Sequence, residues 1–155
     1  LSIGIASPFF GWWSDTIGSL KIPLALTATI GLISSSVIIF VPNVPWHLML
    51  VCLVGIGIAA GGQSLSFAVV KENNKPEHLG TACGFQNMMV IAGGGLIFQP
   101  IVGVLLDYYW DNTLINNVPV YSAAAYEKAF IIIPACFLVA LLASLFIRET
   151  YRQSE

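Results

Sequence analysis

Long apolar runs separated by short polar segments dominate the chain. No Asp, Glu, Lys or Arg occurs from Ile22 to Val70 or from Leu79 to Leu106. The first of these stretches is broken by residues 42–45, Pro-Asn-Val-Pro, because proline stops a helix and asparagine favours a turn. A helix of about 20 apolar residues crosses a bilayer. The pattern therefore predicts four membrane-spanning helices, at about residues 22–41, 47–70, 79–106 and 128–147, with a polar loop at 112–127.

Residues 1–13 form a shorter run that is apolar apart from Ser2 and Ser7. This run is too short to cross a bilayer, and it lacks the basic start and small-residue cleavage site of a signal peptide. We interpret it as the end of a preceding helix and expect the chain to be the C-terminal piece of a longer protein. The predicted fold class is all-α, a polytopic membrane helix bundle.

Composition supports a membrane environment. Of 155 residues, 57% are hydrophobic and 9% are charged, and the mean hydropathy is +0.84, whereas about 25% of a soluble domain is charged. A formal net charge of -2 without any basic run argues against nucleic acid as a partner. Cys52, Cys83 and Cys136 lie in apolar runs with no C-x-x-C pair, so we predict buried hydrophobic roles for them and neither a metal nor a cofactor.

The basic residues predict the orientation in the membrane. Lys128 falls alone on one side of the predicted bilayer, and the other side carries Lys21, Lys71, Lys75, Arg148 and Arg152. Loops rich in Lys and Arg stay in the cytoplasm. We therefore expect an integral, multi-pass protein of the bacterial inner (plasma) membrane, with its C-terminus in the cytoplasm.

The polar segment from Gly11 to Lys21 carries a distinctive spacing. Its two glycines, Gly11 and Gly18, stand four residues before and three residues after Asp15. We predict a tight turn at the membrane surface here, because glycine permits backbone angles closed to other residues. The spacing resembles the signature loop of major facilitator superfamily transporters, although most basic residues of that signature are replaced and Lys21 stands one place late.

Two further segments resemble the same family. Pro76 precedes a Gly80-x-x-x-Gly84 pair, as at the entry to helix eleven of these transporters, and residues 148–151, Arg-Glu-Thr-Tyr, resemble a common ending. The resemblance implies that the four spans are helices nine to twelve of a twelve-helix transporter, within its C-terminal six-helix half. It also implies that residues 1–13 end helix eight, and that Asp15 helps to latch the cytoplasmic face against the N-terminal half.

The second span carries a stripe of small and polar residues with two interpretations. At about 100° per residue, Gln63 and Ser66 share a helix face with several small residues. Small residues allow close helix packing, and Gly57-x-x-x-Gly61 on the far side suits the same purpose. The alternative is the wall of an aqueous substrate path, to which we assign Gln63 and Ser66.

The third span contains residues that weaken a helix. Gly93, Gly94 and Gly95 are consecutive, and each costs about 1 kcal/mol relative to Ala in a helix. Pro100 cannot donate the next hydrogen bond to the carbonyl of Leu96. We predict a helix hinge at these four positions.

Three amides on the third span complete the predicted substrate path. Gln86 and Asn87 lie near the cytoplasmic end, on the same broad face as the glycines, and we expect both to face a central cavity. Gln99 points about 140° away from Gln86 by strict helical rotation. It either reaches the path through the bend or makes an interhelical hydrogen bond. The first and fourth spans carry fewer polar groups, among them Thr27 and Ser144, and the resemblance implies that both spans are outer supports.

These features predict secondary active transport of a small polar metabolite by alternating access. The expected partners are the lipid bilayer, the substrate, a coupling proton or ion moved by symport, and the missing N-terminal half. Two alternatives stay open, a complete four-helix transporter acting as a homodimer and a non-transporting tetraspan scaffold, although the first would need a membrane-embedded Glu. The spans hold no acid pair, metal cluster or nucleophile set, which argues against an enzyme.

Overall fold

The computed structural model describes residues 1–115 and 118–147. Its helices, in chain order, are α1 Ser2–Ile17, α2 Lys21–Phe40, α3 Trp46–Gly61, α4 Gln63–Asn73, α5 Leu79–Ala92, α6 Gln99–Tyr108, α7 Ala123–Phe130 and α8 Ile132–Leu145. A 3₁₀ turn, Pro76–His78, precedes α5, and a π-helix, Gly93–Phe98, joins α5 to α6. The predicted all-α fold class is confirmed. The basic residues and the family-like ending expected at 148–152 lie outside the described residues.

Four helical stretches are long and apolar enough to cross a membrane. They are the first span Lys21–Phe40, the second span Trp46–Asn73, the third span Pro76–Tyr108 and the fourth span Ala123–Leu145. The break predicted at residues 42–45 separates the first two. Consecutive spans run in opposite directions, so residues 18–20 and 74–75 share one end of the bundle. We call this the Lys71 end, and the opposite one the Tyr108 end.

The turn before the first span is shorter than the sequence predicts. Helix α1 continues through Gly11 and Asp15 to Ile17, so both residues are helical and not part of a loop. The chain reverses at Gly18, whose φ of 64° and ψ of 31° are left-handed. Its N–H bonds to the carbonyl of Ser14, which closes the helix end. Of the two glycines in the signature, only Gly18 uses its conformational freedom.

Close helix packing accounts for the glycines of the second span. Helix α2 packs between α3 and α8, and α1 packs on α3. A Cβ at Gly61 would lie 2.6 Å from the Cβ of Ala6 in α1, and a Cβ at Gly62 would lie 2.5 Å from the Thr27 hydroxyl in α2. The two faces of α3 therefore need small residues to bring the backbones together. Between α3 and α4 the α-helical pattern is interrupted at Gly62, which the sequence did not predict.

The third span stands apart from the rest of the bundle. None of its described residues is buried; α5 packs against α4 near the Lys71 end, and α6 packs against α7 near the Tyr108 end. Between them, the N–H of Gln99 donates to the carbonyl of Gly94, five residues back, in the π pattern. The predicted weak point is thus irregular, as glycine content and Pro100 indicate. Movement about it stays a prediction.

The segment after the third span folds more than predicted. Strands β1, Leu114–Ile115, and β2, Val118–Pro119, pair antiparallel within the region expected to be loop. The fourth span begins at Ala123 because the Ser122 side chain accepts a hydrogen bond from the Ala125 N–H and caps α7.

The helical spans extend beyond the bounds predicted from the sequence and include charged residues near their ends. Lys71 and Glu72 lie in the last turn of α4, Asp107 lies in the last turn of α6, and Glu127 and Lys128 lie in α7. All are within a few turns of a span end, where a charged side chain can reach the interface.

Candidate functional site: neutral clefts around Ser66 and Gln86

A side-chain hydrogen bond joins the second and third spans. The Nε2 of Gln86 in α5 donates to the Oγ of Ser66 in α4. The Ser66 hydroxyl donates its own hydrogen to the carbonyl of Gln63, at 2.6 Å. Ser66 therefore acts only as an acceptor toward α5, which requires the NH₂ side of the Gln86 amide to face it.

The other half of the Gln86 amide is left without a partner. Its Oε1 is buried and accepts no hydrogen bond from the described residues. A hydrogen bond contributes about 0.5–1.5 kcal/mol to stability, whereas a buried acceptor without a donor costs about 1–3 kcal/mol. The two terms nearly cancel, so the contact between Ser66 and Gln86 is weakly held in this conformation.

Two clefts meet at Gln86. The inner cleft has a volume of about 440 Å³ and is surrounded by all four spans: Leu24, Thr27, Ala28, Ala59, Gly62, Ser66, Val69, Val70, Gln86, Phe137, Ala140, Ser144 and Ile147. The end cleft, of about 530 Å³, lies at the Lys71 end and is lined by Val70, Asn74, His78, Thr81, Ala82, Phe85 and Gln86. Val70 and Gln86 line both clefts, so the two clefts adjoin at these residues.

The inner cleft is neutral, and its hydroxyls are acceptors. Thr27 donates to the carbonyl of Leu24 at 2.9 Å, and Ser144 donates to the carbonyl of Leu141 at 2.7 Å. Each hydroxyl therefore donates its hydrogen within its own helix, and its oxygen lone pairs remain available to accept hydrogen bonds. Among the residues that the structure describes, no charged side chain is found in the lining. Sequence reasoning left Thr27 and Ser144 in supporting spans, and the structure places both hydroxyls in the lining of the same cleft as Ser66.

The other predicted path residues lie elsewhere. Gln63 and Gln99 line a third, mostly apolar cleft of about 800 Å³, which we call the lateral cleft. Asn87 is exposed and lines neither the inner, the end nor the lateral cleft. It therefore does not join Gln86 in the inner or the end cleft, because one residue of helical rotation, about 100°, turns it onto another face.

The predicted gating loop lies at the Lys71 end. Asp15 is in the last turn of α1, Gly18 forms the left-handed turn, and Lys21 is the first residue of α2. Gly11 sits one turn earlier in α1, with open space where a Cβ would be. Within residues 1–115 and 118–147, no group of three or more His, Cys, Asp or Glu side chains that could hold a metal ion occurs.

Four apolar spans with short connections and neutral clefts between them define an integral, multi-pass membrane protein. The family model of the Major Facilitator Superfamily matches residues 1–155, and the chain therefore belongs to that superfamily. Its members are membrane transporters and in general not enzymes, so this chain is part of a membrane transport protein. No curated protein and no solved structure matches it significantly.

Proposed function

We propose that this chain works in secondary active transport of a small, neutral, polar metabolite by alternating access, in which two halves rock about a central site. The observation that supports it best is the Ser66–Gln86 pair, because neutral hydrogen-bonding groups between spans are costly in lipid and rarely placed without use. In this proposal the chain belongs to the C-terminal six-helix half, and an N-terminal half completes the path.

The proposed energy source is an ion or proton gradient across the membrane. A coupling proton or ion would enter with the substrate by symport across a bacterial inner membrane, with the Lys71 end in the cytoplasm. Within residues 1–115 and 118–147, the lining of the inner cleft carries no carboxylate that could titrate. A proton-coupled mechanism would therefore use a carboxylate outside this cleft.

Solute uptake by the full-length protein tests the proposal. Proteoliposomes would be offered neutral sugars, polyols and amides, with organic anions and amines for comparison. We expect saturable uptake of at least one neutral solute and a loss of about fivefold in Gln86→Ala, since one hydrogen bond is worth about 1 kcal/mol. Asn87→Ala is the matched control, with uptake kept within about twofold. Absence of uptake of every solute, or uptake unchanged in Gln86→Ala, would overturn it.

The loop after α1 is the proposed cytoplasmic latch. Asp15 lies beside the turn at Gly18, at the end of the bundle where the halves would close on each other. We expect Asp15→Asn in the full-length protein to slow uptake severalfold at an unchanged protein level, because a charge that holds one state is removed. Asp111→Asn, at the Tyr108 end, is the control. Equal uptake in wild type and Asp15→Asn would refute the latch.

A further inference from the structure

The lateral cleft, at about 800 Å³, is the largest of the three clefts described above. Its lining comes from the second, third and fourth spans and includes the aromatic rings of Phe98, Phe130 and Phe137. The amides of Gln63 and Gln99 belong to the same lining. Small-molecule sites have volumes of about 300–1,000 Å³ and combine apolar and aromatic walls with a few polar groups. The lateral cleft has both properties.

Both amides lie deep in the membrane. Gln63 stands eight residues before Lys71 in α4, and Gln99 stands eight residues before Asp107 in α6. At a rise of 1.5 Å per residue, each amide is therefore about 12 Å from that charged residue. The two charged residues lie at opposite ends of the bundle. Since the hydrocarbon core is about 30 Å thick, Gln63 and Gln99 are both near its middle.

These two amides are accessible and unpaired. Both residues are exposed, and neither side chain has a hydrogen-bond partner among the residues that the structure describes. The hydrogen bond that Gln63 accepts from Ser66 goes to its backbone carbonyl and leaves its side chain unused. An amide without a partner in an apolar environment costs about 1–3 kcal/mol. Polar side chains at this depth therefore need a partner, and the cleft that both amides line has room for one.

The size and polarity of the cleft suit a compact molecule. A helix with a diameter of 10–12 Å takes up roughly 400–600 Å³ per turn, so the cleft would hold less than two turns of a spanning helix. A lipid acyl chain fills apolar volume, but it has no hydrogen-bonding group for an amide in the middle of the bilayer. A flat ring packs well against phenylalanine rings, in offset or edge-to-face contact.

We propose that the lateral cleft binds a neutral, amphipathic small molecule, whose ring packs on the three phenylalanines and whose hydroxyl or amide group pairs with Gln63 and Gln99. Each glutamine amide offers both donors and an acceptor, so one hydroxyl can donate to one amide and accept from the other. A neutral group does so without the cost of placing an ion at this depth. This site goes beyond the proposed function, which concerns the inner cleft around Ser66 and Gln86.

Photolabelling of the full-length protein in proteoliposomes tests the site. The probe is benzyl alcohol with a trifluoromethyl-diazirine on its ring, and the matched control probe is the same ring without the hydroxymethyl group. Mass spectrometry would locate the label. We expect the alcohol to label residues 98–102 and 132–137 saturably, and an excess of trifluoromethylbenzyl alcohol to prevent this labelling. Exposed Val139 on α8, which lines none of the three clefts, gives the labelling level outside them.

Variants of the two amides test the hydrogen bonds. Gln63→Leu and Gln99→Leu nearly keep the size of the side chain and remove the amide. Each should raise the half-saturating concentration of the alcohol about fivefold, since one hydrogen bond is worth about 1 kcal/mol. Asn87→Leu, which removes an exposed amide outside the cleft, should leave that concentration unchanged. The control probe should bind wild type at least about fivefold more weakly and should not distinguish wild type from either glutamine variant.

Three results would contradict the site. Labelling that rises linearly with probe concentration, at the level of Val139, would mean that the cleft holds lipid. Absence of label from both segments would mean that another part of the full-length protein fills the cleft. Equal half-saturating concentrations in wild type, Gln63→Leu and Gln99→Leu would remove the amides from the site. The first two results need no variant, and photolabelling requires no transport, so a lack of solute uptake would refute the proposed function alone.

Discussion

The phenol of Tyr121 donates a hydrogen bond to the carboxylate of Asp107 across 2.6 Å, and so ties the segment before the fourth span to the end of the third. Neighbouring contacts strengthen the tie. The Nε1 of Trp110 lies 3.2 Å from the carbonyls of Thr113 and Val120, and the Lys128 ammonium stands 4.7 Å above the ring of Tyr109. The third span, weakly packed along its length, is therefore fastened at its Tyr108 end.

This contact predicts an unusual tyrosine titration. The hydrogen bond to Asp107 raises the pKa of Tyr121 above its ordinary value of 10.0, because ionisation would break that bond and put a second negative charge beside the carboxylate. A raised folded-state pKa means that the stabilisation is complete below pH 10 and is lost as the pH rises through the folded pKa. Tyrosinate absorbance of wild type minus Tyr121→Phe should show a midpoint above 10.0. Asp107→Asn should lower that midpoint, and a midpoint at or below 10.0 in wild type would contradict the contact.

The spans could be predicted from the sequence because bilayer thickness imposes a length on apolar runs. The break at residues 42–45 was predicted correctly, and α2 ends at Phe40 while α3 begins at Trp46. The helix ends at the Tyr108 side were less predictable. The two-residue strands and the start of α7 depend on the tertiary contacts of Trp110 and on the Ser122 cap. The spacing of apolar residues along the sequence indicates neither of these.

The candidate site could be predicted only in part, for a geometrical reason. Sequence spacing places residues on a helix face but does not give the rotation of one helix against another. Gln86 and Asn87 are adjacent and equally polar, yet only Gln86 reaches Ser66. Gln63 on α4 and Gln99 on α6 were assigned to the same path, and they line the lateral cleft instead of the inner cleft.

A clash predicts lower stability for Gly61→Ala in the full-length protein. The new Cβ would lie 2.6 Å from the Cβ of Ala6 and 3.1 Å from the backbone nitrogen of Ser7, so α1 and α3 must separate. Overpacking of this kind costs about 1–3 kcal/mol. We expect a lower melting temperature of the purified protein in detergent.

The matched control is Gly80→Ala, at the start of α5, where a Cβ meets nothing within 4 Å. There the change should be neutral or stabilising by up to about 1 kcal/mol, since Ala is the better helix former. If both variants melt at the wild-type temperature, α1 does not pack on α3 as described.

We expect a substitution that stiffens the π-helical segment to slow transport. Gly95→Ala introduces no clash, because nothing lies within 4 Å of the added Cβ, and it favours regular helix by about 1 kcal/mol. If the segment bends during each cycle, the maximal uptake rate should fall about fivefold with little change in KM. Gly103→Ala, in α6 and equally free of contacts, should leave the rate unchanged. A wild-type rate in Gly95→Ala would remove the hinge from the mechanism.

The sidedness of every loop depends on the threading of the four spans, and thiol accessibility measures that threading most directly. Asn73, at the end of α4, and Asn112, after the third span, are both exposed. Each would be changed to Cys in the full-length protein, with the native Cys52, Cys83 and Cys136 changed to Ala, and labelled with an impermeant reagent. We expect Asn73→Cys to react only from the cytoplasm and Asn112→Cys only from the opposite side. Labelling of both variants from the same compartment would contradict it.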